Sequence, residues 1–301
     1  MFSLNQGALR IFRLFKVDVY LHWSWALVAF IELSTRKNTY RSQLWNIAEY
    51  VTLFAIVLMH EFGHALACRS VGGKAERIVL WPLGGVAFVS PPARPGAVLW
   101  SIAAGPLVNL CLAVPLILLA VFANTLGVSP DVSRYFDSIA IINAGLFIFN
   151  MLPIYPLDGG QIVQSLLWFV IGRARSLLVV SILGMASAAL VLILGLTRGW
   201  IWLSILAAFA ALRAWAGFNQ ARKLSQLASA PRHQEARCPS CGAHPPAGPF
   251  WRCRCGHSFD AFAQGQCPNC TRPFASAACT DCSKQAPIDS WRDSPSSASN
   301  N

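Results

Sequence analysis

The sequence predicts an all-α bundle of about six transmembrane helices, with a small membrane-associated β-hairpin after the second and a small cysteine-rich domain at the carboxyl end. Three observations carry this prediction. Hydrophobic residues make up 55% of the 301-residue chain and charged residues only 12%, about half the charged share of an average soluble domain. Apolar stretches of bilayer-spanning length recur through residues 17–217, separated by short polar segments. Beyond residue 217 the pattern stops, and eight of the ten cysteines arrive in closely spaced pairs.

Residues 1–16 set Arg10, Arg13 and Lys16 among apolar neighbours, as expected of an interfacial lead-in on the cytoplasmic side. No small-residue cleavage site follows a short apolar core, so Val17 onward reads as a retained span and not as a signal peptide. That first span, Val17 to Ser34, opens with the interfacial aromatics Tyr20, Trp23 and Trp25. The loop Thr35 to Ser42 carries Arg36, Lys37 and Arg41, against positive-inside counting if it lies outside. The second span is expected over Trp45 to Cys68. From Lys74 to Ser90, β-branched and aromatic residues flank Pro82-Leu83-Gly84-Gly85, reading as two short strands around a turn.

The third span, Ala97 to Asn124, contains Gly105-Pro106, where a kink is expected. A polar loop, Thr125 to Asp137, precedes a short fourth span, Ser138 to Leu152. Gln161 to Ile171 is amphipathic, and spans at Leu177 to Leu196 and Trp200 to Gly217 complete the bundle. An even number of crossings, with Arg213, Arg222 and Lys223 near the last exit, puts both termini in the cytoplasm. The net charge of +11 is accounted for largely by Lys and Arg flanking the spans, so no nucleic-acid partner is expected.

One run breaks the apolar pattern. His60-Glu61-Phe62-Gly63-His64 interrupts Val51 to Val71, and ionisable groups at membrane depth cost a few kcal/mol each, so they mark function. Residues four apart share a helix face, so His60 and His64 can present two imidazoles to one zinc ion, with Glu61 placed as a general base. A third ligand is offered by Asp158, the single carboxylate in the segment from Asn150 through Pro153 and Pro156 to Gly159-Gly160. His22 and Cys68 are weaker ligand candidates, read instead as a packed or interfacial histidine and a small apolar helix residue. Asn109 is a polar side chain in the third span that either bonds a neighbouring helix or helps place a substrate carbonyl.

These motifs together resemble the site-2 protease family of intramembrane zinc metalloproteases. The matching residues are His60 to His64, Leu157-Asp158-Gly159-Gly160 with Asn150 and Pro153, Pro82 to Ala87, Gly105 to Asn109, and the opening Tyr20 to Trp25. The resemblance covers about residues 10–217 and implies zinc-dependent cleavage of membrane-spanning substrates within the bilayer. It also places a hairpin beside the active site, which makes Gly84 and Gly85 substrate or oxyanion candidates. The edge of that hairpin can hold an unwound substrate by β-addition or serve only as a re-entrant structural loop. Asn150 resembles the family's motif asparagine, as an oxyanion donor or as a cap for the broken helix.

The tail lies outside the resemblance. Its pairs are Cys238 with Cys241, Cys253 with Cys255, Cys267 with Cys270 and Cys279 with Cys282, the signature of zinc ribbons holding two four-thiolate zincs. Sequential pairing, the first pair with the second and the third with the fourth, is the simpler assignment; crossed pairing of the RING type stays open. His257 is a substitute ligand candidate. A cytoplasmic location disfavours disulfides, and a core this small needs its metals to fold. Each such zinc site carries a charge of −2, which offsets the basic residues of the tail.

The expected division is 1–217, metalloprotease domain; 218–237, linker; 238–285, double zinc ribbon; and 286–301, disordered tail. The expected protein is an integral, multi-pass membrane endopeptidase with one catalytic and two structural zincs. Its partners are a membrane-spanning substrate, the lipid bilayer and a cytoplasmic protein at the ribbon. The competing expectation is a non-catalytic membrane adaptor or receptor that uses the ribbon to bind a partner.

Overall fold

A computed structural model describes residues 7–35, 39–81, 84–282 and 284–292. Arg36, Lys37, Pro82, Leu83 and the Ser294 to Asn301 tail lie outside the described residues. The chain divides into two compact units, Met1–Phe218 and Asn219–Asn301.

In the first unit, α2 (Gln43–Ser70), α3 (Pro95–Thr125), α4 (Pro130–Met151) and α6 (Arg173–Thr197) are long and apolar enough to cross a membrane, as is α7 (Ile201–Ser229), which begins there and whose last residues fall in the second unit. A shorter helix, α5 (Asp158–Ile171), follows the turn after α4. The first span expected at Val17 to Ser34 is corrected. Val17–His22 is strand β2, and helix α1 (Ser24–Thr35) has 12 residues, about 18 Å at 1.5 Å per residue against a hydrocarbon core of about 30 Å. Val17 and Val19 are buried in alternation with their neighbours, the period of a strand. Hydropathy alone does not separate a short apolar strand from a helix.

The expected interfacial lead-in is likewise strand β1 (Ala8–Leu14), paired antiparallel with β2. Arg10 and Arg13 reach Asp18 at 2.9 and 3.6 Å across that pair. The hairpin expected at Lys74 to Ser90 is present as β3 (Lys74–Trp81) and β4 (Gly84–Ser90), but it is half of a larger sheet. The sheet order is β1-β2-β3-β4, with β2 parallel to β3, so β4 is an edge strand. Val17, Val19, Ile78 and Leu80 of the sheet pack on Trp25 of α1 and on Val57, Phe62 and Ala65 of α2. The Arg69 guanidinium, at the end of α2, donates to the carbonyls of Phe15, Lys16 and Ala75, clipping the β1–β2 turn and the start of β3 to the helix.

The polar loop expected over Thr125 to Asp137 is shorter than its composition suggests, because α4 begins at Pro130. Proline suits a first helical turn, and the Asp131 carboxylate there accepts the Arg41 N–H at 3.1 and 3.2 Å. The linker expected at 218–237 is helical as far as Ser229. It contains no Gly or Pro before Pro231, so nothing stops α7 sooner.

The second unit contains two small hairpins, β5 (Trp251–Arg252) with β6 (Ser258–Phe259) and β7 (Ser276–Ala278) with β8 (Gln285–Pro287). Short helices α8 (Ala261–Gln264) and α9 (Asp289–Arg292) accompany them. Its core is aromatic: Phe262 lies 5.0 Å from both Trp251 and Trp291, centroid to centroid. Asp260 caps α8 through the N–H groups of Phe262 and Ala263 and also accepts from Gly248. Burial raises the Asp260 pKa, but the Gly248 N–H and His233 outweigh it and hold the carboxyl below the usual carboxylate range.

Candidate active site

His60 and His64 lie one turn apart on α2, both buried, with their Nε2 atoms 3.1 Å apart. Asp158 is the first residue of α5. Its Oδ2 stands 3.1 Å from His60 Nε2 and 3.3 Å from His64 Nε2. The turn that delivers it is tight: a Cβ on Gly159 would lie 2.4 Å from the Met151 carbonyl oxygen, so α5 doubles back against the end of α4 only because that position is glycine.

The outer nitrogens show which way the imidazoles are set. His64 Nδ1 lies 2.9 Å from the Ser101 carbonyl, an obligate acceptor, so that nitrogen carries the hydrogen. His60 Nδ1 lies 2.6 Å from Asn109 Oδ1. Asn109 is oriented by Asn143: Asn109 Nδ2 donates to Asn143 Oδ1, and Asn143 Nδ2 donates to the Asn109 carbonyl, each at 2.9 Å. Both Nε2 lone pairs therefore point at each other and at a carboxylate oxygen. Such a group repels itself unless a cation lies between its members, and two imidazoles with one carboxylate form the donor set of a zinc site with an open position. Gly105 of α3 keeps the space clear, since a Cβ there would lie 2.3 Å from His64 Nε2 and 2.8 Å from His60 Nε2. The residues fit the metal.

Glu61, also buried, turns toward β4, where its Oε2 accepts the Ala87 N–H at 2.9 Å. A Cβ on Gly85 would come 2.3 Å from Glu61 Cγ, so that glycine is what lets the side chain lie along the strand. Gly84 pairs with Trp81 at the start of β4.

Of the two roles expected for Asn109, the structure shows the bond to neighbouring helices: its side-chain oxygen meets His60 of α2 and its side-chain amide donates to Asn143 of α4. Asn150, half-buried in the last turn of α4, makes no hydrogen bond to His60, His64 or Asp158 among the described residues. His22 stacks on Trp81 at 4.3 Å, and Cys68 Sγ lies 3.5 Å from the Lys74 carbonyl; neither joins the histidine cluster. Sequence reasoning missed Asn143 and Ser101, both fully buried. Asn143 did leave a signal, as an amide inside the apolar run Ile139 to Phe149. Asn143→Leu leaves the Asn109 amide without its partner, and the expected result is a roughly 10- to 100-fold weaker zinc affinity at the histidine site, read by competition with a chelator.

The cysteines form two groups of four, but the sequential pairing is wrong. Cys238 and Cys241 join Cys279 and Cys282, while Cys253 and Cys255 join Cys267 and Cys270. Sulfur–sulfur distances of 3.5 to 3.8 Å within each group suit a shared tetrahedral ion. The outer pairs meet because the Arg237 N–H donates to the Trp291 carbonyl at 2.8 Å, folding the end of the tail back on its beginning. Lengthening a loop costs only about 0.6 kcal/mol per doubling, so aromatic packing and not sequence proximity chooses the partners. The Cys255 thiol is drawn down to about 6, first by the backbone N–H of His257 and then by Asn269, toward the thiolate a metal requires. His257 joins neither group; its carbonyl accepts from the Cys253 N–H.

The nested grouping has a direct check in zinc content. The double variant Cys241→Ser with Cys279→Ser is expected to lose one zinc, and Cys241→Ser with Cys255→Ser to lose two. Sequential pairing requires the reverse.

A buried cluster of two imidazoles and a carboxylate, enclosed by helices of membrane length, defines a membrane-embedded metalloprotein. The model of peptidase family M50 matches residues 48–129 and 125–194. A zinc metalloprotease of Methanocaldococcus jannaschii is 30% identical over 193 residues, 63% of this chain and 54% of that protein. Rip3 of Mycobacterium tuberculosis is 33% identical over 168 residues, 53% of this chain and 43% of its own length. The chain spans about half the length of these curated relatives. Among solved structures, the site-2 protease from Methanocaldococcus jannaschii superposes with a TM-score of 0.52 at 24% identity, covering 70% of this chain and 95% of that one. The chain is thus similar in sequence to zinc metalloproteases of peptidase family M50 over residues 48–194 and shares the fold of a site-2 protease.

Proposed function

We propose that this chain is an intramembrane zinc endopeptidase that cleaves transmembrane segments of membrane proteins, the chemistry of regulated intramembrane proteolysis. The observation that carries the proposal is the convergence of His60, His64 and Asp158 within 3.3 Å beside a buried Glu61. In this reading those three residues hold one catalytic zinc, and the two cysteine groups hold two structural ones. Bound there, zinc supplies Lewis acidity toward the scissile carbonyl and lowers the pKa of water to about 7. Glu61 is the general base. Its Oε2 is fixed by the Ala87 N–H, leaving the other oxygen to take the proton of the attacking water and pass it to the leaving amine.

A substrate helix hides its amides in its own hydrogen bonds, so it has to unwind before a peptide bond can be reached. The free edge of β4, which runs past Glu61, offers backbone groups to the unwound segment. Residues 1–217 form the protease and 238–285 the double ribbon in this proposal, with the carboxyl terminus cytoplasmic and the ribbon a docking module for a protein partner. The basic residues Arg173, Arg175, Arg213, Arg222 and Lys223 support that orientation.

The test is reconstitution of the full chain in liposomes with a single-span model protein. Cleavage inside the span, abolished by a chelator and restored by zinc, is the expected result. Binding of the model protein with no fragment released at any zinc concentration supports the adaptor reading and ends this one.

A further inference from the structure

Tyr155 stands three residues before Asp158, in the segment joining α4 to α5, and three helices close on it there. A Cβ on Gly160 of α5 would lie 2.5 Å from the Tyr155 nitrogen. One on Gly184 of α6 would lie 2.7 Å from the Tyr155 carbonyl oxygen and 3.3 Å from its Cβ. One on Gly217 of α7 would lie 2.8 Å from Cε1 of its ring and 3.2 Å from Cζ. Glycine is what allows the helices to approach this closely.

The segment's internal bonds stiffen it. The Ile154 N–H donates to the Leu152 carbonyl at 2.7 Å, the Leu157 N–H to the Ile154 carbonyl at 2.8 Å, and Gln161 Nε2 to the Pro156 carbonyl at 2.9 Å. Every one of these bonds runs within residues 152–161, so none ties the segment to α6 or α7. The contacts at Gly184 and Gly217 do. Neither α6 nor α7 supplies a member of the His60, His64 and Asp158 group.

We propose that Tyr155 is a positioning residue for Asp158: its backbone seated on Gly184 and its ring on Gly217 set how far the carboxylate stands from the two histidine nitrogens. The proposal rests on the reading of Asp158 as a zinc ligand. The tolerances make it consequential. Ligand distances at a metal site hold to about 0.2 Å. A methyl group at Gly184 forces the Tyr155 carbonyl back from 2.7 Å toward an ordinary contact of at least 3.4 Å.

The test uses the full-length chain in detergent, stripped of metal and titrated with zinc against a competing chelator, with thermal unfolding followed in parallel. Asp158→Ala identifies the zinc that belongs to this site. Gly184→Ala is expected to weaken that zinc at least about 10-fold while the thiolate zincs and the unfolding temperature stay as in the native chain. Tyr155→Ala should weaken it as well, and Tyr155→Phe, which keeps the ring, should not. Gly195→Ala is the control: its Cβ would lie 2.5 Å from Ser204 Oγ of α7, straining the same pair of helices away from Tyr155, and it should leave the site zinc unchanged.

Native affinity in both Gly184→Ala and Tyr155→Ala overturns the proposal, as does an equal loss in Gly195→Ala. If Asp158→Ala itself retains every zinc, the ligand reading has failed and the proposal falls with it. If Asp158→Ala loses one zinc while Gly184→Ala and Tyr155→Ala keep it, only the positioning role is wrong.

Discussion

Glu61→Gln is expected to lower cleavage of a membrane-spanning substrate by about 10²- to 10⁴-fold, the usual contribution of a general acid–base group, while zinc content stays the same. The substitution is nearly isosteric. Its amide oxygen can still accept the Ala87 N–H, and Gly85 still leaves room for the side chain along β4. What glutamine cannot do is take a proton at the other atom. Because Glu61 is not one of the three clustered donors, the metal should stay while the chemistry stops. Fragment release by gel and zinc by atomic absorption decide it. Cleavage at the native rate rules out Glu61 as the base, and loss of zinc means that the residue acts on the ligands instead.

Gly105→Ala should have an effect as large by the opposite route: one zinc fewer per chain and cleavage reduced to background. The added methyl group would sit 2.3 Å from His64 Nε2 and 2.8 Å from His60 Nε2, in the space toward which both lone pairs point. In the interior of a helix, glycine to alanine ordinarily stabilises by up to about 1 kcal/mol. Loss of metal with an unchanged or raised unfolding temperature therefore identifies a blocked site and not a damaged fold. An alanine variant that holds as much zinc as the native chain contradicts the geometry of the cluster.

The histidine pair was legible because spacing within one helix is local: residues four apart meet on one face whatever surrounds them. Asp158 was legible because a lone carboxylate among prolines and glycines at the end of an apolar run has few structural uses. The strands at the amino end were not. Val17 to His22 is apolar enough to pass for the start of a membrane span, and it is a strand because β1 and β3 flank it on either side. Asn109 was visible as an anomaly, but its two bonds, to His60 and to Asn143, join three different helices.

By itself the sequence determined which residue types are present for chemistry and the spacing of those that share an element: the two imidazoles of α2, the neighbouring glutamate and the four short-spaced cysteine pairs. Only the tertiary structure decided which distant groups meet. It set Asn143 behind Asn109, Gly105 in front of the imidazoles, Ala87 on Glu61, and the first cysteine pair with the last. The physical reason is range. Backbone geometry over four or five residues is set by the chain's own dihedrals, whereas contacts between distant segments depend on how whole helices and hairpins pack, which no short stretch encodes.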